Sequence, residues 1–175
     1  MTSEIRLERY DEPSVDSIYD ALVTLFADTH QDLAGNVFFT TDRFKDFLVR
    51  QRAQPGFELV AAWADDRLAG VAFGFSRPTK GQFAFCELMV TPGFQRQGIA
   101  KRLHDELLGQ RLEPQATLLV RKDNAPAQAA YKKWGWTKIG DRQPTPEAPN
   151  YDELALPLPI AGRRSRSSRM RQGTL

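Results

Sequence analysis

Between an apolar run at residues 83–90 and a helical pattern that begins near residue 98 stands Gly93-Phe94-Gln95-Arg96-Gln97-Gly98-Ile99-Ala100. Glycines at such a junction let backbone N–H groups turn inward as a nest, and a helix start adds positive potential. The chemistry this suits is the holding of a phosphate or pyrophosphate. Three ligand classes use loops of this kind. The spacing of Gly93 and Gly98 matches a Walker A loop, but Ile99-Ala100 stands where a lysine and a hydroxyl residue are required. A dinucleotide fingerprint needs G-x-G-x-x-G opening a long Rossmann half, and neither spacing nor position fits. The pattern Gln/Arg-x-x-Gly-x-Gly/Ala remains, and Gln95, Arg96, Gln97, Gly98, Ile99 and Ala100 satisfy it.

A second candidate lies just upstream. Glu87 is the only charged residue in the run 83–90. A carboxylate on a buried strand has a raised pKa and can relay a proton. The plainer account is an ion pair or an anchor that moves no proton. Cys86, the single cysteine, excludes an internal disulfide and a cysteine-based metal cluster. Strand alternation puts it on one face with Leu88 and Val90, where it reads as packing rather than as a nucleophile. With only His30 and His104 in the chain, no metal site is expected.

The elements that must position these groups follow from periodicity. Residues 5–10 alternate apolar and charged residues, as a half-exposed strand does. Val15, Ile18, Leu22, Leu25 and Phe26 recur at helical spacing after Pro13. Residues 28–40 lose the period and read as a loop. Thr41-Asp42 can cap a second helix carrying Phe44, Phe47 and Leu48. Strands at 57–63 and 68–75 form a hairpin, and 83–90, the most apolar strand, is expected to be central. A helix over 98–110 and a short strand over 116–120 complete a strand–crossover–strand unit, which is parallel. A helix over 125–134 and two closing strands, 136–141 and 151–158, surround a proline-rich loop. The order is β-α-α-β-β-β-α-β-α-β-β.

Residues 83–140 resemble the GNAT superfamily, the general-control-type N-acetyltransferases. Glu87-Leu88-Met89-Val90-Thr91-Pro92 resembles its fourth strand leading into the pyrophosphate loop. Val120-Arg121-Lys122-Asp123-Asn124, followed by Ala127, Tyr131 and Gly135-Trp136, resembles its fifth strand and the helix after it. The resemblance implies one α/β domain of the α+β type. Its mixed, mostly antiparallel sheet has about six or seven strands, with a splayed parallel pair in the middle and about four helices on both faces. It implies acetyl-CoA as cosubstrate and no metal. Main-chain groups of Met89 and Val90 would hold the pantetheine arm, with Asn124 bonding it from the other wall. Amides of Gln95 to Ala100 would take the pyrophosphate. Tyr131 would be the general acid for the departing thiolate, its ordinary pKa near 10 keeping it protonated; a plain core tyrosine is the competing account. Some relatives carry a glutamate twelve positions before that tyrosine, where this chain has Leu119. The base, if one is used, is then Glu87, Asp28, Asp32 or water.

Charge divides the chain in two. The 175 residues carry 24 basic and 22 acidic side chains. Arg163, Arg164, Arg166, Arg169 and Arg171 lie in residues 161–175, which hold no acid, so residues 1–160 keep 19 basic against 22 acidic side chains. The expected organisation is therefore an acetyltransferase domain at 1–160 and a disordered Arg/Ser-rich tail at 161–175. Tail contact with nucleic acid is the less favoured account. No apolar run approaches the roughly 20 residues that cross a bilayer. The first residues lack a secretory pattern, so a cytoplasmic setting is expected. The expected partner is a small-molecule or peptide amine, with loops 28–40 and 143–150 forming its mouth; a homodimer is left open. The rival is a CoA-binding regulatory module without turnover, which would have no need of Tyr131.

Overall fold

A computed structural model describes residues 3–160. The proposed tail, 161–175, lies outside the described residues. Seven strands form one sheet in the order β1-β2-β3-β4-β5-β7-β6. They are β1 (Ile5–Tyr10), β2 (Glu58–Ala64), β3 (Arg67–Arg77), β4 (Gln82–Val90), β5 (Gln115–Arg121), β6 (Thr137–Arg142) and β7 (Tyr151–Pro157). Only β4 and β5 run parallel; every other pair is antiparallel. The apolar strand β4 is central, as expected from its composition.

Helices cover both faces. The helices α1 (Tyr19–Thr29) and α2 (Thr41–Arg52) pack Leu22, Leu25, Phe26, Phe44 and Leu48 against Leu59, Val71 and Phe73. The crossover helix α3 (Ile99–Leu108) buries Ile99, Leu103, Leu107 and Leu108 against Phe83 and Phe85 on the opposite face. Near the parallel pair, α4 (Ala125–Lys133) leans Ala127 and Tyr131 on that second core. Each large apolar side chain so buried contributes about 1.5–3 kcal/mol. No helix among the described residues is long and apolar enough to cross a membrane.

Two local expectations are corrected. The cap of α2 is Thr40, one residue before the expected Thr41-Asp42. Thr40 keeps extended dihedrals, and its hydroxyl accepts from the Arg43 amide at 3.2 Å. The second correction concerns β4. Phe73 pairs with Glu87 and Gly74 with Phe85, so Cys86 is an extra, bulged residue. One inserted residue shifts the alternation by one position. Cys86 therefore packs with the α1/α2 core, while Leu88 and Val90 face the α3 core. It does not share their face.

The bulge also ends the parallel pairing. β4 and β5 are in register at Gln82↔Gln115, Phe83↔Ala116 and Ala84↔Thr117, and nowhere beyond. From there to Val90 and Arg121 the two strands part. Gly74 makes this possible, because a Cβ there would lie 2.2 Å from the Ala84 carbonyl oxygen.

Candidate active site

The edge opened by the bulge has free main-chain groups, and strand geometry tells which. The Thr91 amide donates to the Ala69 carbonyl on β3 at 2.8 Å. Main-chain groups alternate sides along a strand. Met89, paired with Val71, therefore directs its N–H and C=O toward β3, whereas Leu88 and Val90 direct theirs into the opening. Of the two expected pantetheine contacts, Val90 faces the gap and Met89 faces away from it; Leu88 is the additional residue. The Val90 carbonyl accepts from the Gln95 side-chain amide at 3.1 Å, which satisfies an acceptor that β5 no longer reaches.

The loop that follows is tightly folded. Pro92–Phe94 form a turn in which the Phe94 amide donates to Thr91 at 2.8 Å. Arg96 and Gly98 both take left-handed backbone, φ +63° and +78°. Gly98 is the N-cap of α3, with no side-chain cap. The amides of Ile99, Ala100 and Lys101 then belong to the first helical turn, where no helical carbonyl can reach them. A Cβ on Gly93 or Gly98 would meet nothing within 4 Å, so the space before these amides is open. Amides without partners, a helix start and open space make an anion cradle. Lys101 is engaged with Asp105 at 2.7 Å rather than reaching into this space. Gln97 turns back on the Gly93 carbonyl at 3.5 Å.

The other wall is the start of α4. Asn124 caps it, its side-chain oxygen accepting from the Ala127 amide at 3.3 Å. Its side-chain NH2 makes no hydrogen bond among the described residues and remains a donor. Tyr131, two turns on, packs edge-on against Trp134 and Trp136, with ring centroids 5.7 and 5.9 Å away. Its hydroxyl makes no hydrogen bond among the described residues. Burial pushes its pKa well above the ordinary tyrosine range, and the charge of Glu87 adds to this.

Glu87 is half-buried and forms neither an ion pair nor a side-chain hydrogen bond among the described residues. Burial alone pushes its pKa up to about 7. That places a titrating carboxyl at neutral pH within electrostatic reach of Tyr131. Asp28 is half-buried on α1, and Asp32 is exposed on the short turn after it. Cys86 is inert as a nucleophile: burial, then the Glu87 charge, raise its thiol pKa far above the ordinary value.

Tyr151 was not foreseen as a site residue. It sits on β7 directly opposite Arg121 of β5. Its pKa is pushed up to about 12, by burial first and then by the charge of Glu87. No linear pattern ties position 151 to position 87; the signal exists only once β7 is inserted beside β5. The loop 28–40 does reach this end of the sheet. It contains two short helical turns, and the Arg121 guanidinium lies 5.3 Å from the ring centre of Phe39. His30 stacks on Phe26 at 4.1 Å, and burial lowers its pKa.

Known proteins share this architecture. Over 92% of this chain and 98% of its own, the ribosomal-protein-S18-alanine N-acetyltransferase from Escherichia coli superposes with a TM-score of 0.67 at 20% identity. A GNAT-family acetyltransferase from Staphylococcus aureus gives 0.69 at 16% identity, covering 89% and 100%. The PaiA N-acetyltransferase from Thermoplasma acidophilum, in complex with coenzyme A, gives 0.61 at 13% identity, covering 88% and 99%. At these identities the likeness concerns the fold. No curated protein sequence matches the chain. The sequence profile of the acetyltransferase (GNAT) domain matches residues 26–145, and the chain therefore belongs to the GNAT acetyltransferase family.

Proposed function

We propose that this protein transfers an acetyl group from acetyl-CoA to the primary amine of a small molecule or peptide, by direct attack within a ternary complex. The observation that carries the reading is the opened β4–β5 edge, flanked by an anion cradle at one end and by Glu87 and Tyr131 at the other. The amides from Gln95 to Ala100 hold the pyrophosphate. The main chain of Val90 and Leu88, next to Met89, pairs with the pantetheine arm as a missing strand would, and Asn124 donates from the far wall. Acetyl-CoA supplies the activated acyl group.

The chain's own residues then position and move protons. Glu87, with a pKa of about 7, accepts the proton of the ammonium form, directly or through water. Tyr131 stays protonated at neutral pH and donates to the departing thiolate. Preset main-chain dipoles in the gap stabilise charge that develops on the thioester oxygen. The decisive experiment measures release of free CoA thiol from acetyl-CoA against a panel of primary amines. Amine-dependent release is expected. Binding of CoA with no release for any amine would leave the non-catalytic CoA-binding module as the reading.

A further inference from the structure

On β5, residues alternate between the α3 core, which takes Ala116, Leu118 and Val120, and the opposite face. Leu119 and Arg121 therefore look toward the loop between α1 and α2. Leu119, where some relatives carry an acid, is 44% exposed. Arg121 is only 18% exposed at its side chain, yet none of its N–H donors makes a hydrogen bond among the described residues. Its one ion pair among the described residues is with Asp123 at 3.6 Å, and Asp123 is itself 79% exposed. A pair of that kind is worth little. The stem is largely covered while the donor fork stays open to solvent and is available to an anionic ligand.

The surroundings point the same way. The Phe39 ring lies over the guanidinium from the loop side, its centre 5.3 Å away. Tyr151 stands directly across the β5–β7 ladder, so its side chain shares the Arg121 face. The charges of both Glu87 and Arg121 reach Tyr151, with opposite effects on it, and no effect of Arg121 on Glu87 is resolved. Tyr151 is thus near both a proton acceptor and the guanidinium. Phe39 and His30 also border a cleft of about 280 Å³ whose lining mixes Phe26, Ala27 and Ala34 with the polar Gln31 and Asn36.

We infer that Arg121 is a specificity-determining residue that pairs with an anionic group on the acceptor, so that the preferred substrate is an amine bearing a carboxylate or phosphate near its amino group. This rests on the acetyl-transfer reading and names the substrate class of that site. Glu87 receives the ammonium end and Arg121 the anionic end. The net negative charge of residues 1–160 attracts cations in general, while this local cation selects acceptors that also carry an anion.

The test compares acceptors that differ only in that charge, on the full chain at constant ionic strength. Glycine, leucine and phenylalanine are set against their primary amides, and phosphoethanolamine against ethanolamine; the pairs tell a carboxylate from a phosphate preference. Each acceptor is assayed with the wild type, Arg121→Gln and Arg121→Lys. Taking the ratio of wild type to variant for one acceptor removes differences in amine basicity. Arg121→Gln is expected to raise KM for the anionic acceptors about tenfold or more beyond its effect on the neutral ones, the worth of one charge-assisted hydrogen bond. Arg121→Lys should recover part of this loss, as a point charge without the fork. Equal effects on anionic and neutral acceptors would overturn the inference and leave acetyl transfer standing. Binding of N-acetylglycine, N-acetylleucine, N-acetylphenylalanine and N-acetylphosphoethanolamine in the presence of CoA is measured in parallel, beside the melting temperature of each variant. If no amine is turned over but these anions bind in an Arg121-dependent way, the clamp stands and the transfer reading falls. Absence of both turnover and Arg121-dependent binding overturns both.

Discussion

The position a side chain would take on Gly74 lies 2.2 Å from the carbonyl oxygen of Ala84. Opposite this glycine the fourth strand takes its extra residue, Cys86, and beyond it the parallel pairing ends. The opened edge thus depends on a missing Cβ in a neighbouring strand.

Gly74→Val should damage both stability and cosubstrate binding. Forcing atoms into a packed site costs about 1–3 kcal/mol, here against backbone that cannot move without re-pairing β4. A melting temperature lowered by several degrees, with weakened CoA affinity by calorimetry, is the expected pair of results. Unchanged CoA affinity would show that the bulge does not set the gap.

Gly98→Trp probes the anion cradle. The left-handed backbone at φ +78° costs a non-glycine residue about 1–2 kcal/mol, and the indole would fill space that is open in front of the α3 amides. CoA should raise the melting temperature of the wild type and leave that of the variant unchanged. Equal stabilisation of both would remove the loop from the binding site.

Tyr131→Phe keeps the ring and its edge-on contacts with Trp134 and Trp136 while deleting the hydroxyl. General acid catalysis is worth about 10²- to 10⁴-fold, and kcat should fall within that range with CoA affinity nearly unchanged. A structural tyrosine would give the reverse, a lower melting temperature with a normal rate per folded molecule.

Glu87→Gln tests the carboxyl through pH. Its folded pKa of about 7 lies above the ordinary value of 4.5, because burial disfavours the charge. As the base, it is active when deprotonated, so wild-type kcat/KM should rise with pH through about 7, and this limb should vanish in the variant. The same shift has a stability consequence of definite sign. Between pH 4.5 and 7 the native state holds a proton that the unfolded state has lost, so this group's stabilising contribution is present at low pH and is lost as pH rises through 7. Glu87→Gln should therefore melt higher than wild type at pH 8 and about equally at pH 4. Melting curves at the two values check this, and a variant less stable at pH 8 would contradict the burial argument.

Much of the architecture is local and could be seen in residue order. The alternation of 5–10, the helical spacing of Ile99, Leu103 and Leu107, and the apolar run at 83–90 each follow from which face of one element must leave water. The loop Gln95 to Ala100 was legible for the same reason, since turn, glycine and helix start are contiguous. What the tertiary structure decided is what depends on residues far apart. The bulge at Cys86 is dictated by Gly74 twelve residues earlier, and both faces of β4 are buried, so no polar alternation betrays the slip. That Leu88 and Val90, rather than Met89, turn their main-chain groups into the gap follows from which side β3 occupies. Tyr151 joins Glu87 and Arg121 only because β7 enters the sheet between β5 and β6. Hydrophobic periodicity reports on burial within a segment; the meeting of polar side chains depends on strand order and register, which packing of the whole chain sets.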